Sequence, residues 1–66
     1  MSADERAAEE LERMARKLVR TKRGSRLLRE QHDGHLRWWY SGTIAALDWA
    51  IEDCRRRARK LRRGGR

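Results

Sequence analysis

The sequence predicts an all-α fold, an antiparallel hairpin of two long helices. Apolar residues recur every three or four positions in both halves of the chain, which is the spacing of one helix face. A polar break containing Asp33-Gly34 separates the halves, and the sequence contains no proline. Charge is divided between the ends, because residues 1–12 carry five acids and one base while residues 55–66 carry eight bases and no acid. A hairpin brings these opposite charges together.

The charge pattern also predicts a register. If the chain reverses at the polar break, facing residues have numbers that sum to about 67. Glu5 is then expected near Arg62, and Glu12 near Arg55. Acidic residues in the first helical turn and basic residues in the last also suit the helix dipole.

Helix 1 is predicted over residues 3–32. Ser2 and Glu5 have the spacing of a capping box, in which the serine hydroxyl and the glutamate carboxylate satisfy free backbone amides. The apolar stripe recurs with heptad spacing. Its predicted positions are Ala7, Leu11, Met14 and Leu18, continued by Thr21, Ser25, Leu28 and His32, with Ala8, Ala15 and Val19 widening it.

Gly24 leaves two interpretations of helix 1 open. A glycine inside a helix costs about 1 kcal/mol relative to alanine, so it can end a helix or be tolerated within one. The heptad phase continues across Gly24, which favours one continuous or kinked helix. The alternative is a three-helix chain in which Ser25 caps a new helix.

Residues 32–35 are predicted to form the turn, with Gly34 in the left-handed conformation and Asp33 as a cap. Helix 2 is expected over residues 36–62. Its inner stripe is predicted to be Leu36, Tyr40, Thr43, Leu47, Ala50, Cys54, Ala58 and Leu61, flanked by Ile44 and Ile51.

Helix 2 is more apolar than a two-helix hairpin requires. At 100° per residue, a second apolar face lies opposite the inner stripe. Trp38, Gly42, Ala45 and Trp49 lie on this face, and Trp39 and Ala46 lie between the two faces. The candidate protein interface consists of these six residues. Gly42 and Ala46 form a small-x-x-x-small step that permits close helix approach, and the predicted register places them opposite Ser25 and Thr21.

Three interpretations of this second face remain open. Two hairpins can pair as a homodimer and complete a four-helix bundle. The face can dock a different protein, because interface hot spots are rich in tryptophan, tyrosine and arginine. In the third interpretation, residues 25–32 fold over the tryptophans and leave a closed monomer.

The net charge of +8 favours an anionic partner. One arginine-rich run, in the basic tail 55–66, is a candidate nucleic-acid site. A second run, residues 13–29, holds eight bases and no acid. The candidate phosphate-binding residues of the tail are Arg55, Arg56, Arg57, Arg59, Lys60, Arg62 and Arg63. The competing interpretation is a solvated helix end whose charge balances the acidic start.

Length and composition exclude several classes of protein. Sixty-six residues allow one domain, residues 1–66. The one cysteine cannot form an internal disulfide and fits a reducing cytoplasm. No catalytic constellation and no cofactor site is expected. No metal site is expected either, since His32, Asp33 and His35 are too few ligands for structural zinc. The 16-residue apolar block, 36–51, is shorter than the roughly 20 residues of a membrane span.

The segment from Trp39 to Ala50, WYSGTIAALDWA, resembles a pattern near the C-terminus of small actinobacterial and actinobacteriophage proteins. In that pattern an aromatic residue precedes glycine, and Ala-Leu-x-Trp follows within one helix. The resemblance covers about a fifth of the chain. It implies a phage accessory or host-directed protein and carries over no functional residue. A small virion structural protein, with its basic run facing packaged genome, is a further hypothesis.

Overall fold

The computed structural model describes residues 2–64, which form two helices packed against each other. Helix α1 spans Ala3–Gln31 and helix α2 spans Gly34–Gly64. No strand occurs within these residues. The Cα positions extend over 50 × 14 × 10 Å, so the hairpin is a narrow rod. The predicted all-α antiparallel hairpin is confirmed. Residues 65 and 66 of the predicted basic tail lie outside the described part of the chain.

Helix α1 begins at the predicted cap and is continuous. Ser2 is the N-cap, and its hydroxyl accepts a hydrogen bond of 3.1 Å from the Glu5 amide. The helix passes through Gly24 without a break, so the three-helix alternative is wrong. It ends where the His32 amide donates to the Arg29 carbonyl at 3.3 Å.

The connection between the helices is shorter than predicted. Only His32 and Asp33 lie outside the helices, and Gly34 opens α2 with a φ of +64°. This left-handed conformation favours glycine, because a side chain would crowd the backbone there. His32 Nδ1 lies 2.7 Å from the Leu28 carbonyl oxygen, and its ring centroid lies 5.7 Å from that of Tyr40. The histidine thus closes the tip of the hairpin.

The core is a single layer of side chains between the helices. Ala15, Ile51 and Cys54 form its centre, and larger apolar side chains of α1 cover its edges. Small residues at the contact let the two backbones approach, and the flanking side chains then seal the seam. The edge residues are Leu11, Leu18 and Val19, and the remaining buried residues are Ala8, Ser25, Ile44 and Ala58.

The predicted inner stripe of α1 is wrong in half of its positions. Met14 is half exposed and Ala7 is exposed, whereas Ala8 and Ala15 are buried. At these two places the residue that enters the core lies one position later in the sequence than predicted. Apolar residues are adjacent at both places, so the periodicity alone does not decide which one faces α2. The small alanine side chains allow the closer helix contact.

The α2 stripe also needs correction. Ile44 and Ile51, which were expected to flank it, are buried. Leu36, which was expected to start it, is 48% exposed. Leu36 lies in the first turn of α2, next to the reversal. Because α1 ends at Gln31, little of α1 extends far enough to cover Leu36.

The register differs from the predicted one by up to two helical turns. Glu12 binds Arg62, not Arg55, through a two-pronged contact: Nη2 donates at 2.7 Å and Nε at 3.3 Å. This hydrogen-bonded pair lowers the pKa of the Glu12 carboxyl and raises the pKa of the Arg62 guanidinium. Glu9 and Glu5 add to the rise in the pKa of Arg62 through their charge. The acidic start therefore does lie beside the basic end, as predicted.

The hairpin leaves more surface open than a compact protein of its size. Its radius of gyration is 15.1 Å, whereas a compact chain of this length has about 11 Å. Its accessible surface is 5294 Å², whereas a typical monomer of this mass exposes about 4,400 Å². None of the large side chains in the described residues is completely buried. A one-layer core of this kind is thin for a stable free-standing domain.

Candidate protein-docking face

The six predicted interface residues lie together on α2, on the side away from α1. We call them the Trp face: Trp38, Trp39, Gly42, Ala45, Ala46 and Trp49. All six are exposed, and the tryptophans are exposed by 71% (Trp38), 53% (Trp39) and 69% (Trp49). Trp38, Trp39, Gly42 and Ala46 also line one shallow groove. Three large aromatic side chains thus lie within four helical turns, and no other part of residues 2–64 covers them.

The third interpretation of this face, a closed monomer, is wrong. Residues 25–31 continue α1 and pack along the opposite side of α2. They therefore cannot fold over the tryptophans. Within residues 2–64, the Trp face is left uncovered.

Two of the tryptophans are held by neighbouring rings of the same helix. The Trp38 ring centroid lies 5.7 Å from that of His35. Trp39 meets Tyr40 edge to face, with centroids 5.2 Å apart and ring planes at 83°. Such contacts limit the freedom of the rings before binding. The entropy lost when a partner fixes them is correspondingly smaller.

Gly42 does not form the predicted close crossing with α1. A Cβ atom built on Gly42 would meet nothing within 4 Å. Ser25 is buried in the seam, but Thr21 is exposed, so the expected contact of Gly42 and Ala46 with these residues is wrong. The larger Ile44 occupies the seam in this part of α2. The open space over Gly42 belongs to the solvent side, where a second backbone can approach.

The hydroxyl groups within the apolar segment are satisfied by their own helix. Ser41 Oγ donates to the Arg37 carbonyl at 2.9 Å, and Thr43 Oγ1 donates to the Trp39 carbonyl at 3.1 Å. These back-bonds leave the hydroxyls with less need of water. Covering this part of α2 therefore removes little polar surface that lacks a partner.

The segment from Trp38 to Cys54 contains three acids and no base. Asp48 binds Lys22 of α1, and Asp53 binds both Arg56 and Arg57 of α2. Glu52 has only a long contact of 3.9 Å with Arg55. In a chain of net charge +8, this stretch has a net charge of −3 from its three acids and no base.

The arginine-rich tail is partly neutralised within the hairpin. Arg55, Arg56, Arg57 and Arg62 each bind a carboxylate. Within residues 2–64, no carboxylate pairs with the other three candidates, Arg59, Lys60 and Arg63. The charge-balancing interpretation thus accounts for four of the seven candidate phosphate-binding residues.

The structure brings the two basic runs together, which sequence reasoning did not predict. Arg55 of α2 lines one groove with Lys22, Arg23 and Arg26 of α1, together with two carboxylate side chains of α2. It also lines a neighbouring groove with Arg16. The predicted register gave no signal of this meeting, because it placed run 55–63 opposite residues 4–12. The meeting depends on the axial shift between the helices and on which residues of each helix flank the seam.

The remaining candidate chemistry is sparse. Cys54 is a buried free thiol in the core, where it acts as a small apolar side chain. In the part of the chain that the structure describes, no three histidine, cysteine, aspartate or glutamate side chains lie close enough together to hold a metal ion. No helix within these residues has the length and apolar character needed to cross a membrane.

Comparisons with protein-family models, with characterised proteins and with solved structures found no match to this chain. The fold and the Trp face define a two-helix scaffold with an uncovered aromatic face. It also has a basic edge, which is the surface where Arg55 meets Arg16, Arg23 and Arg26.

Proposed function

We propose that this chain is a small non-enzymatic binding protein that docks through the Trp face, either onto a second copy of itself or onto a host protein. The observation that carries this proposal is the exposure of three tryptophans on the side of α2 opposite the core. Tryptophan is among the residues that contribute most to protein interfaces. Exposed singly, such residues need no explanation, but a contiguous apolar patch does.

We further propose where this docking takes place. The α2 segment resembles small phage proteins, which suggests a phage accessory protein acting on a host factor. We also propose a cytoplasmic location, because the one cysteine is a free buried thiol and a reducing compartment suits it. Neither point affects how the docking is tested.

The test is a double substitution, Trp38→Ala with Trp49→Ala. We expect association to weaken roughly 700-fold, since each hot-spot tryptophan contributes about 2 kcal/mol and about 1.4 kcal/mol is a factor of ten. The helical circular dichroism signal should be retained, because neither side chain lies in the core. Association is measured as molar mass by light scattering for self-association, and by capture from host lysate for a different partner.

Met14→Ala with Leu27→Ala is the matched control. These α1 side chains are also large and exposed, by 50% and 61%, but lie on the other helix. The control should associate as the wild type does. Unchanged association in the tryptophan variant, or equal loss in the control, would contradict docking through the Trp face.

A second candidate function is nucleic-acid binding along the basic edge. It is supported by the position of Arg55, which shares grooves with Arg23, Arg26 and Arg16. Arginine binds phosphate through two parallel hydrogen bonds. Binding through such an edge would be independent of nucleotide sequence. It would weaken steeply with added salt, because salt reduces the free energy gained when counterions are released from the phosphates.

The test is fluorescence anisotropy of a labelled duplex across a salt series. Arg55→Gln should reduce the salt slope by about one phosphate contact. Arg6→Gln is the matched control, because it removes the same charge from an exposed side chain that lies outside both basic runs. An absence of binding at low salt, or equal effects of the two substitutions, would exclude the basic edge as the site.

A further inference from the structure

We propose that the occupant of the Trp face is the Trp face of a second copy, with the two α2 helices antiparallel about a two-fold axis between Thr43 and Ile44. This inference rests on the proposed function and names its partner and geometry. It is carried by the symmetry of the exposed face, by the distribution of charge along α2 and by the area that the hairpin leaves open.

The exposed side of α2 has a spacing that reads the same in both directions. Its central positions are separated by 3, 4, 3, 4 and 3 residues, and they are His35, Trp38, Gly42, Ala45, Trp49 and Glu52. Reversal about the midpoint exchanges Trp38 with Trp49, and Gly42 with Ala45. An interface across a two-fold axis needs such a self-complementary surface, because the same patch serves both subunits.

The pairing places small residues at the centre and aromatic residues at both ends. Gly42 faces the partner's Ala45, and the open space over Gly42 admits the partner helix. Trp38 faces the partner's Trp49 on each side of this close approach. The indole rings can then cover the seam while their N–H groups reach the water at its edge.

Charge selects the antiparallel orientation over the parallel one. In the antiparallel pair, the midpoints of the two basic runs 55–63 lie roughly 45 Å apart along the axis, at 1.5 Å per residue. That is several times the Debye length of about 10 Å in 0.1 M salt. A parallel pair would place the two runs side by side, so like charges would repel at close range.

The same orientation supplies a partner for an arginine that has none. Within residues 2–64, Arg37 forms no ion pair, and Glu52 has only its long contact with Arg55. Antiparallel pairing places Arg37 on the same flank as the partner's Glu52, within one helical turn of it. Two symmetry-related ion pairs therefore form at the two ends of the interface.

The open area matches what a dimer requires. The hairpin exposes 5294 Å², about 900 Å² more than a compact monomer of its mass. A standard stable interface covers about 800 Å² on each partner. The six tryptophans of a dimer supply roughly 600–1,000 Å² of the about 1,600 Å² that the two partners bury together, when the 150–250 Å² of an aromatic side chain is scaled by the exposed fractions of 53–71%.

The deciding experiment is the distance between spin labels in the intact chain. Labels are attached at Arg59→Cys, with Cys54→Ala removing the native thiol. Dipolar spectroscopy should give a separation of roughly 45–50 Å, from the axial offset of 1.5 Å per residue. A separation below about 25 Å would indicate parallel helices and overturn the inference. A monomer by light scattering at about 100 μM, which implies a still weaker Kd, would also overturn it.

A charge exchange provides an independent test. Arg37→Glu should weaken the dimer by about tenfold, since like charges then face each other. Adding Glu52→Arg should restore the affinity to within a few-fold, whereas in a parallel pair Arg37 faces its own copy and no restoration occurs. Light scattering at several concentrations measures both changes.

These results separate the inference from the function on which it rests. A parallel dimer that is lost in the Trp38→Ala with Trp49→Ala variant overturns the geometry and supports docking through the Trp face. A dimer that survives that double substitution contradicts both. A monomer that captures a host protein only when both tryptophans are present overturns the second copy as occupant and leaves the docking function intact.

Discussion

Replacing the mid-helix glycines with alanine should distinguish a position that only shapes the hairpin from one that also admits a partner. Gly24→Ala is expected to stabilise the hairpin and leave association unchanged. Gly42→Ala is expected to stabilise the isolated hairpin equally and to weaken association. The two positions are otherwise matched, because both are exposed and both lie inside a continuous helix.

The magnitude follows from local geometry. A Cβ atom at either glycine would meet nothing within 4 Å, and neither has a positive φ. The new methyl group therefore causes no strain, and the gain is the helix propensity of alanine over glycine, about 1 kcal/mol. For a domain of this size, that gain raises the Tm by about 4–8 °C.

The effect on association has a different cause. In the proposed dimer, Gly42 lies where the two α2 backbones approach most closely, so any side chain there separates them. Gly42→Ala should weaken the dimer several-fold, and Gly42→Leu should abolish it, because overpacking at a tight contact costs about 1–3 kcal/mol per site. Gly24→Leu is the matched control and should leave the dimer intact.

Thermal unfolding is followed by circular dichroism at several protein concentrations, because dimerisation makes the Tm depend on concentration. Light scattering gives the association constant for each variant. A fall in Tm for Gly24→Ala would refute the reasoning for the hairpin, since it would mean that α1 needs glycine at this point. Equal association for Gly24→Leu and Gly42→Leu would refute the reasoning for the close approach.

Three further predictions concern the hairpin itself. Ile51→Ala should lower the free energy of unfolding by about 2–5 kcal/mol, because Ile51 is 4% exposed at the centre of the core. Leu27→Ala, at an exposed position, should change the free energy of unfolding by less than about 0.5 kcal/mol. Urea unfolding measures both changes. Gly34→Ala should destabilise by about 1–2 kcal/mol, since a φ of +64° is unfavourable for alanine, and an unchanged urea midpoint would contradict this. The hydrogen bond from Arg62 lowers the pKa of the Glu12 carboxyl. The pair therefore stabilises the hairpin at pH values above the ordinary carboxyl pKa of about 4.3, and this contribution is lost as the pH falls through the lowered pKa. The drop in Tm between neutral and acidic pH should be smaller in Glu12→Gln than in the wild type.

Local sequence patterns determined the elements of the fold. The Ser2 cap, the glycine at the left-handed position of the turn and the helical periodicity all act over a few residues, so they could be read in order along the chain. The charge asymmetry predicted that the ends would meet, and it did so because opposite charges attract without requiring an exact register. The exposure of the Trp face followed from the same periodicity, since a helix has only one side to bury against one partner.

The tertiary structure alone decided which of two adjacent apolar residues enters the seam. Ala15 is buried and Met14 is half exposed, although a helical pattern admits either, because the choice depends on how closely α2 approaches. The pairing of Glu12 with Arg62, the open space over Gly42 and the meeting of Arg55 with the other basic run follow from the same packing. A pattern along one helix fixes the angle of each side chain about that helix, whereas the rotation and axial shift of the helices relative to each other emerge only when both surfaces pack together.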